Sequence, residues 1–277
     1  MVRAIVLISC FTFIQIFCLS QGLEEVFVET YYIADAEDEK DPSAQGLKAG
    51  MVTYRIWVDM KEGYKLLSVY GAPGHPLRLA TSTGFFNDTI NGSIKAPDID
   101  PSLLGNNALL LDSYIAISGA NKTGLAVKKE DDTDGSVVKP VVKTDKSTVF
   151  KRGILMSQNP KAGVPIREAD GFMRGSVPAL VTFGHNFAAF DKSTDLSEVR
   201  FDNGAWAVFK GLKGPFPEKN YLLIAQVTTD GDLSFELNLQ IASPRGETEY
   251  YLARNPEQGQ LTHPDLIFPK PDHLLTN

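Results

Sequence analysis

Between Leu233 and Ile241 every second residue is large and apolar: Leu233, Phe235, Leu237, Leu239 and Ile241, separated by Ser234, Glu236, Asn238 and Gln240. Side chains alternate across a strand with period two and recur around a helix with period 3.6, so this segment can bury one face only as a strand. Tyr221–Thr228 precedes it, and Asp230-Gly231 between them is the preferred pair for a two-residue type I′ hairpin. In such a hairpin Thr229 faces Asp232 and Ile224 faces Leu237. The first strand also carries Leu223, Ala225 and Val227 on its reverse, which places it inside a sheet rather than at an edge.

The same period recurs elsewhere. Val52, Tyr54, Ile56, Val58 and Met60 form one face of a strand whose other face is Thr53, Arg55, Trp57 and Asp59; Leu109, Leu111, Ile115 and Ile117 alternate with Asp112, Tyr114 and Ser118. Further strands are expected at 26–33, 64–70, 77–83, 205–209 and 248–252. Helical spacing is not found. Short strands joined by Gly-, Pro- and Asn-rich connections imply an all-β fold, an antiparallel two-sheet β-sandwich of jelly-roll type with long loops and little helix. Residues 119–180 are broken by Pro140, Pro160, Pro165 and Pro178 and read as loops with a few short strands. The division expected is a signal peptide over 1–20, one sandwich domain over 21–255, and an extended or disordered tail over 256–277 containing Pro256, Pro264, Pro269 and Pro271.

The leader assignment rests on Arg3, the apolar run from Ala4 to Leu19, and the small or polar Ser20, Gln21 and Gly22. The run is short for a membrane span, and an acidic stretch opening on Glu24-Glu25 follows. Leu7-Ile8-Ser9-Cys10 also fits a lipoprotein processing site, but too few apolar residues precede the cysteine for that reading. Both cysteines, Cys10 and Cys18, lie inside the leader. A mature chain therefore has no disulfide, thiolate metal site or cysteine nucleophile, and must be held by burial alone. With Arg3 removed, 26 of the 27 basic residues remain against 34 acidic ones, a net charge of −8. An acidic chain without a basic cluster argues against nucleic acid or an anionic membrane as partner, and no second span of membrane length occurs. The expected location is secreted or extracytoplasmic.

Few side chains carry a chemical signal. Asp35, Glu37, Asp38, Glu39 and Asp41 fall within seven residues, and Glu130, Asp131, Asp132 and Asp134 precede Gly135. Alternating carboxylates suit a hard cation such as calcium, with Asp35, Asp38 and Asp41 as the candidate ligands; a solvated acidic loop has the same composition. In the second cluster Val141 stands where an EF-hand requires its bidentate glutamate. Trp57 shares a face with Arg55 and Asp59, an indole beside hydrogen-bonding groups, as a sugar-stacking platform would need. The same pattern arises wherever a second layer covers that face. Trp206 alternates with Val208 and reads as core. His75, His185, His263 and His273 lack ligand spacing, and no nucleophile elbow, phosphate loop or dinucleotide fingerprint occurs. A glycosidase-type carboxylate pair could be drawn only from distant residues such as Asp59, Asp112 and Glu236. Asn87-Asp88-Thr89, Asn91-Gly92-Ser93 and Asn121-Lys122-Thr123 are sequons, relevant only to secretion through an endoplasmic reticulum.

Several segments together resemble a group of predicted secreted bacterial β-rich proteins with no assigned activity: 53–59 with Glu62-Gly63-Tyr64, 111–114, Gly204-Ala205-Trp206, 223–231 with Ser234-Phe235-Glu236, and the acidic stretch from Tyr31-Tyr32 to Asp41. The resemblance spans most of residues 26–255. It implies an exported or surface-associated β protein and transfers no active-site residue. The function expected is a noncatalytic extracellular binding or matrix module, engaging polysaccharide or a cell surface through Trp57, Arg55 and Asp59 and stabilised by calcium. A polysaccharide hydrolase or lyase using carboxylates, and a structural surface-layer component, are the alternatives.

Overall fold

The computed structural model describes residues 21–42, 44–100, 103, 107–119, 128–131, 173, 179–184, 187–191 and 196–270. Among them the chain forms, in order, β1 (Leu23–Ile33), α1 (Ala36–Glu39), β2 (Val52–Met60), β3 (Lys65–Gly71), β4 (Leu77–Thr81), α2 (Asn107–Leu110), β5 (Tyr114–Ser118) and β6 (Leu180–Phe183). There follow β7 (Glu198–Phe201), β8 (Gly204–Leu212), β9 (Asn220–Thr229), β10 (Leu233–Glu236), β11 (Asn238–Ala242), β12 (Thr248–Tyr251) and β13 (Ile267–Phe268). Three sheets result, ordered β1-β2-β9-β5, β13-β10-β4-β7 and β12-β11-β3-β8-β6, with antiparallel ladders throughout. No described helix is long and apolar enough to cross a membrane.

The second and third sheets are two halves of one bent surface. β3 continues into β4, β7 into β8 and β10 into β11, and each pair of halves keeps the same neighbours on either side of the bend. Strands that change sheet at a bend are the usual way an all-β fold turns a corner. Gly71 lies at that bend, where a Cβ would come 2.1 Å from the Phe201 carbonyl oxygen; only a residue without a side chain lets the two backbones meet so closely. The long alternating segment 233–241 is thus two strands, not one. At Leu237 its amide leaves the ladder and donates to the carbonyl of Leu266 at 2.9 Å, while the alternation of faces runs on unbroken.

The β9–β10 hairpin expected at Asp230-Gly231 does not form. β9 pairs with β2 on one side and β5 on the other, leaving no free edge for β10. Neither Asp230 nor Gly231 has the positive φ a type I′ turn requires. Instead the turn carries the chain from one sheet to the other. Thr229 Oγ1 accepts from the Gly231 amide, and Ser82 Oγ accepts from the Asp232 amide. Gly231 is needed for room: a Cβ would lie 2.5 Å from Thr83 Oγ1 and 2.7 Å from Ser82 Oγ.

The main apolar core lies between the first sheet and the bent one, bringing Val26, Ile56, Val58 and Ile224 against Leu79, Trp206, Phe235 and Leu239. A second core covers the opposite face of the first sheet. There Trp57, Tyr114 and Leu223 meet Phe86, Ile99 and Leu109–Leu111 from the segment between β4 and β5, and Leu47 and Met51 from the segment after α1. All ten residues of β9 are therefore buried. The alternation around Leu109–Ile117 also divides, into α2 and then β5. In the tail, 264–266 form a 3₁₀ turn that buries Leu266, and β13 pairs with β10. The extended or disordered tail anticipated from its prolines is thus part of the fold over these residues. β6, β7 and β13 were not anticipated; Asn121 and the acids Asp132 and Asp134 lie outside the described residues.

Candidate functional site

Trp57, Arg55 and Asp59 do share one face of β2, but that face is roofed by the second core. Trp57 is wholly buried, its ring packed on Phe27 and Tyr221 and its Nε1 donating to Glu29 Oε2 at 3.2 Å. No ring face is open to a sugar, so the anticipated stacking platform is an interior packing element. Arg55 is buried beside it; Nε donates to Gln226 Oε1 at 2.9 Å, and the guanidinium stacks 3.5 Å from the Tyr31 ring centroid. Burial alone would lower its pKa, but Tyr31, Tyr114 and Glu29 outweigh it and the net shift is upward. The arginine stays charged. Gln226 completes the layer, accepting from Tyr114 Oη and donating to the carbonyls of Leu110 and Asp112. This polar layer ties the irregular 107–113 segment to the sheet.

Asp59 is half-exposed at the end of β2, directly across from Glu25 on β1. Burial, and then the charges of Glu24 and Glu25, raise its pKa to about 6 despite a hydrogen bond from the Met60 amide and the nearby Lys128. Asp112 accepts from the amides of Asp88 and Ser93 at 2.8 and 2.9 Å. Burial raises its pKa well above the usual carboxylate range, with Asp88 adding to that and the amide donors opposing it. Glu236 is held in a two-bond clamp by Arg254. The three carboxylates considered for a glycosidase pair are thus engaged separately.

Two of the three expected calcium ligands, Asp35 and Asp38, use their carboxylates in local structure. Asp35 caps α1, accepting from the amides of Glu37 and Asp38; Asp38 returns the bond to the Asp35 amide and accepts from Tyr32 Oη at 2.8 Å. This is a reciprocal capping box. The Asp41 carbonyl accepts the Ala44 amide in the turn that follows. Among the described residues no three His, Cys, Asp or Glu side chains are grouped to hold a metal ion. Of the second acidic cluster, Glu130 and Asp131 pair with Lys128 and Lys219.

An open groove of about 560 Å³ lies at the mouth between the two layers, lined by Tyr54 of β2, Arg78 and Thr81 of β4, Ser234 of β10, the Ser82 and Asp232 corner, and Phe268-Pro269. This is within the ~300–1,000 Å³ range of small-ligand sites. Arg78 is held from two sides, Nε donating to Glu198 Oε2 at 2.7 Å and Nη1 to Ser234 Oγ at 2.9 Å. Two reciprocal bonds between Ser82 and Asp232 fix the corner, and the Phe268 ring stacks on Phe235 at 5.4 Å. Aromatic surface, hydroxyls, one guanidinium and one carboxylate therefore converge in a preorganised setting. The groove draws on four segments far apart in sequence, one of them in the tail. The signal open to sequence reading was Arg78 on the polar face of an expected strand.

Comparison with known protein families, with curated proteins and with solved structures finds no match to this chain.

Proposed function

We propose that this protein is an exported, noncatalytic binding module that takes a polyhydroxylated ligand, a carbohydrate, in the groove between Tyr54 and Phe268. The observation that carries the reading is the lining of that groove. Partly exposed rings of Tyr54 and Phe268 offer apolar surface for the C–H face of a pyranose, while Arg78, Ser82, Asp232 and Ser234 offer hydrogen-bond donors and acceptors for hydroxyls. The clamp on Arg78 reduces the side-chain entropy that binding would otherwise cost. Export is supported by the leader-like sequence at residues 1–20 and by cysteines confined to it.

A soluble-glycan array followed by titration calorimetry tests this. Tyr54→Ala and Asp232→Asn should each weaken binding of the retained glycan by about tenfold, the effect of one lost contact worth ~1.4 kcal/mol. Absence of any retained glycan, or unchanged affinity in both variants, overturns it.

A further inference from the structure

The loop that follows β4 and the turn that precedes β5 bring two buried carboxylates together. Asp112 is 1% exposed and Asp88 5%. Asp112 Oδ1 accepts the amide of Asp88 itself and Oδ2 that of Ser93, so this carboxylate is seated against the 88–93 loop. Asp88 Oδ1 accepts the amides of Ile90 and Asn91, both at 3.0 Å, and the Asp88 carbonyl accepts that of Gly92 at 2.9 Å. Ser113 Oγ donates to the Phe86 carbonyl at 2.6 Å, a second link between the same two segments.

The pair lacks what buried carboxylates require. Among the described residues no lysine, arginine or histidine forms an ion pair with either one. Backbone amides supply dipoles here, not a compensating charge. Asp88 Oδ2 is buried and has no hydrogen-bond partner, which for a charged group is a cost that a native fold rarely leaves unmet. The two acids also feel each other: burial, and then the Asp88 charge, push Asp112 well above the usual carboxylate range against the pull of its amide donors. Gly92 lies against both residues. A Cβ there would come 2.3 Å from the Asp88 carbonyl oxygen and 2.5 Å from Asp112 Oδ2, so these oxygens converge beside a backbone that carries no side chain.

A hard divalent cation answers both the missing charge and the orphaned oxygen. Two carboxylates match its charge, and calcium completes its ~6–8 oxygen ligands in irregular geometry with main-chain carbonyls and water, where magnesium demands an octahedron. A site with so few charged ligands belongs to the weak extracellular class, with Kd of about 10⁻⁴–10⁻³ M.

We propose that Asp88 and Asp112 form a calcium site that staples the 86–93 loop to the 111–113 turn, two irregular segments beside the second core.

Thermal melts of chelator-treated protein across a calcium chloride series test the proposal, with equilibrium dialysis to count the bound ion. One ion per chain and a midpoint that rises with calcium are expected, because an ion held only by the folded chain raises its stability. Asp88→Asn keeps an oxygen for the Ile90 and Asn91 amides but removes the charge; it should weaken calcium binding about tenfold or more and abolish the midpoint shift. Asp112→Asn should do the same where it folds, and Asp41→Asn, in the acidic stretch after β1, should leave binding unchanged. Melts and dialysis of the parent protein that are indifferent to calcium overturn the site. So does full calcium binding in folded Asp88→Asn, or its loss in Asp41→Asn, since the ion is then held elsewhere. A parent indifferent to calcium beside an Asp88→Asn variant of higher stability at neutral pH overturns it in favour of a proton shared by the two acids.

Discussion

The guanidinium of Arg55 sits over the ring of Tyr31, its Cζ 3.5 Å from the centroid, with Gln226 bonded to its Nε beside the second core. A charge buried this way contributes through hydrogen bonds and the ring quadrupole, and its removal strands the groups that faced it. Arg55→Ala should therefore destabilise the protein by about 3–5 kcal/mol in urea titration. Arg55→Lys should recover little, since an ammonium lacks the planar fork that stacks on Tyr31 while reaching Gln226. A loss below ~1 kcal/mol in Arg55→Ala would show that the layer is not structural.

Burial of Trp57 removes it from the expected ligand-binding role and makes it a packing residue. Removing a wholly buried indole packed on Phe27 and Tyr221 should cost about 3–5 kcal/mol of stability. Where the variant remains folded, glycan affinity should match the parent protein. Calorimetric binding and thermal melts on Trp57→Phe, the milder change, separate the two effects.

Asp59 makes stability depend on pH in a defined window. Its pKa is raised from 3.8 to about 6, so its contribution to stability is fully present below about pH 3.8 and is lost as pH rises through about 6, where burial and Glu25 oppose the charge. Asp59→Asn should thus stabilise the protein at pH 7, by about 1 kcal/mol after discounting for its solvent exposure, and leave it nearly unchanged at pH 4. Urea midpoints at the two pH values provide the check; a gain larger at pH 4 than at pH 7 contradicts the assignment.

Leu266 anchors the tail. Its side chain is fully buried and its carbonyl takes the Leu237 amide where β10 passes into β11. Leu266→Ala should cost about 2–5 kcal/mol, and truncation before Pro264 should cost more, because β10 also loses β13. A truncated chain as stable as the full one would mean that the tail only decorates the surface. Circular dichroism melts of both chains decide this.

What local alternation could show, it showed well: β2 spans the expected Val52–Met60, and most other strands fall within a few residues of their expected bounds. Period two is a property of the chain itself, since each strand must present one apolar side whatever its neighbours are. Tertiary structure decided which strands pair and what covers each face. Asp230-Gly231 has the composition of a tight hairpin, yet β9 already has two partners, so the turn becomes a corner between sheets. Leu233–Ile241 has one unbroken alternation, yet Leu237 bonds to Leu266, about thirty residues on, and the ladder changes there. The polar pattern of Thr53, Arg55, Trp57 and Asp59 fitted a ligand face and a covered one equally, because a strand cannot reveal the layer laid over it, here by Leu47, Met51, Phe86, Ile99 and Leu109–Leu111. Likewise the groove exists only because Tyr54, Arg78, Asp232 and Phe268, far apart along the chain, are brought to one mouth. Sequence by itself determined an all-β chain with alternating faces; long-range packing, invisible to any local period, decided which of those faces is core and which is open to a ligand.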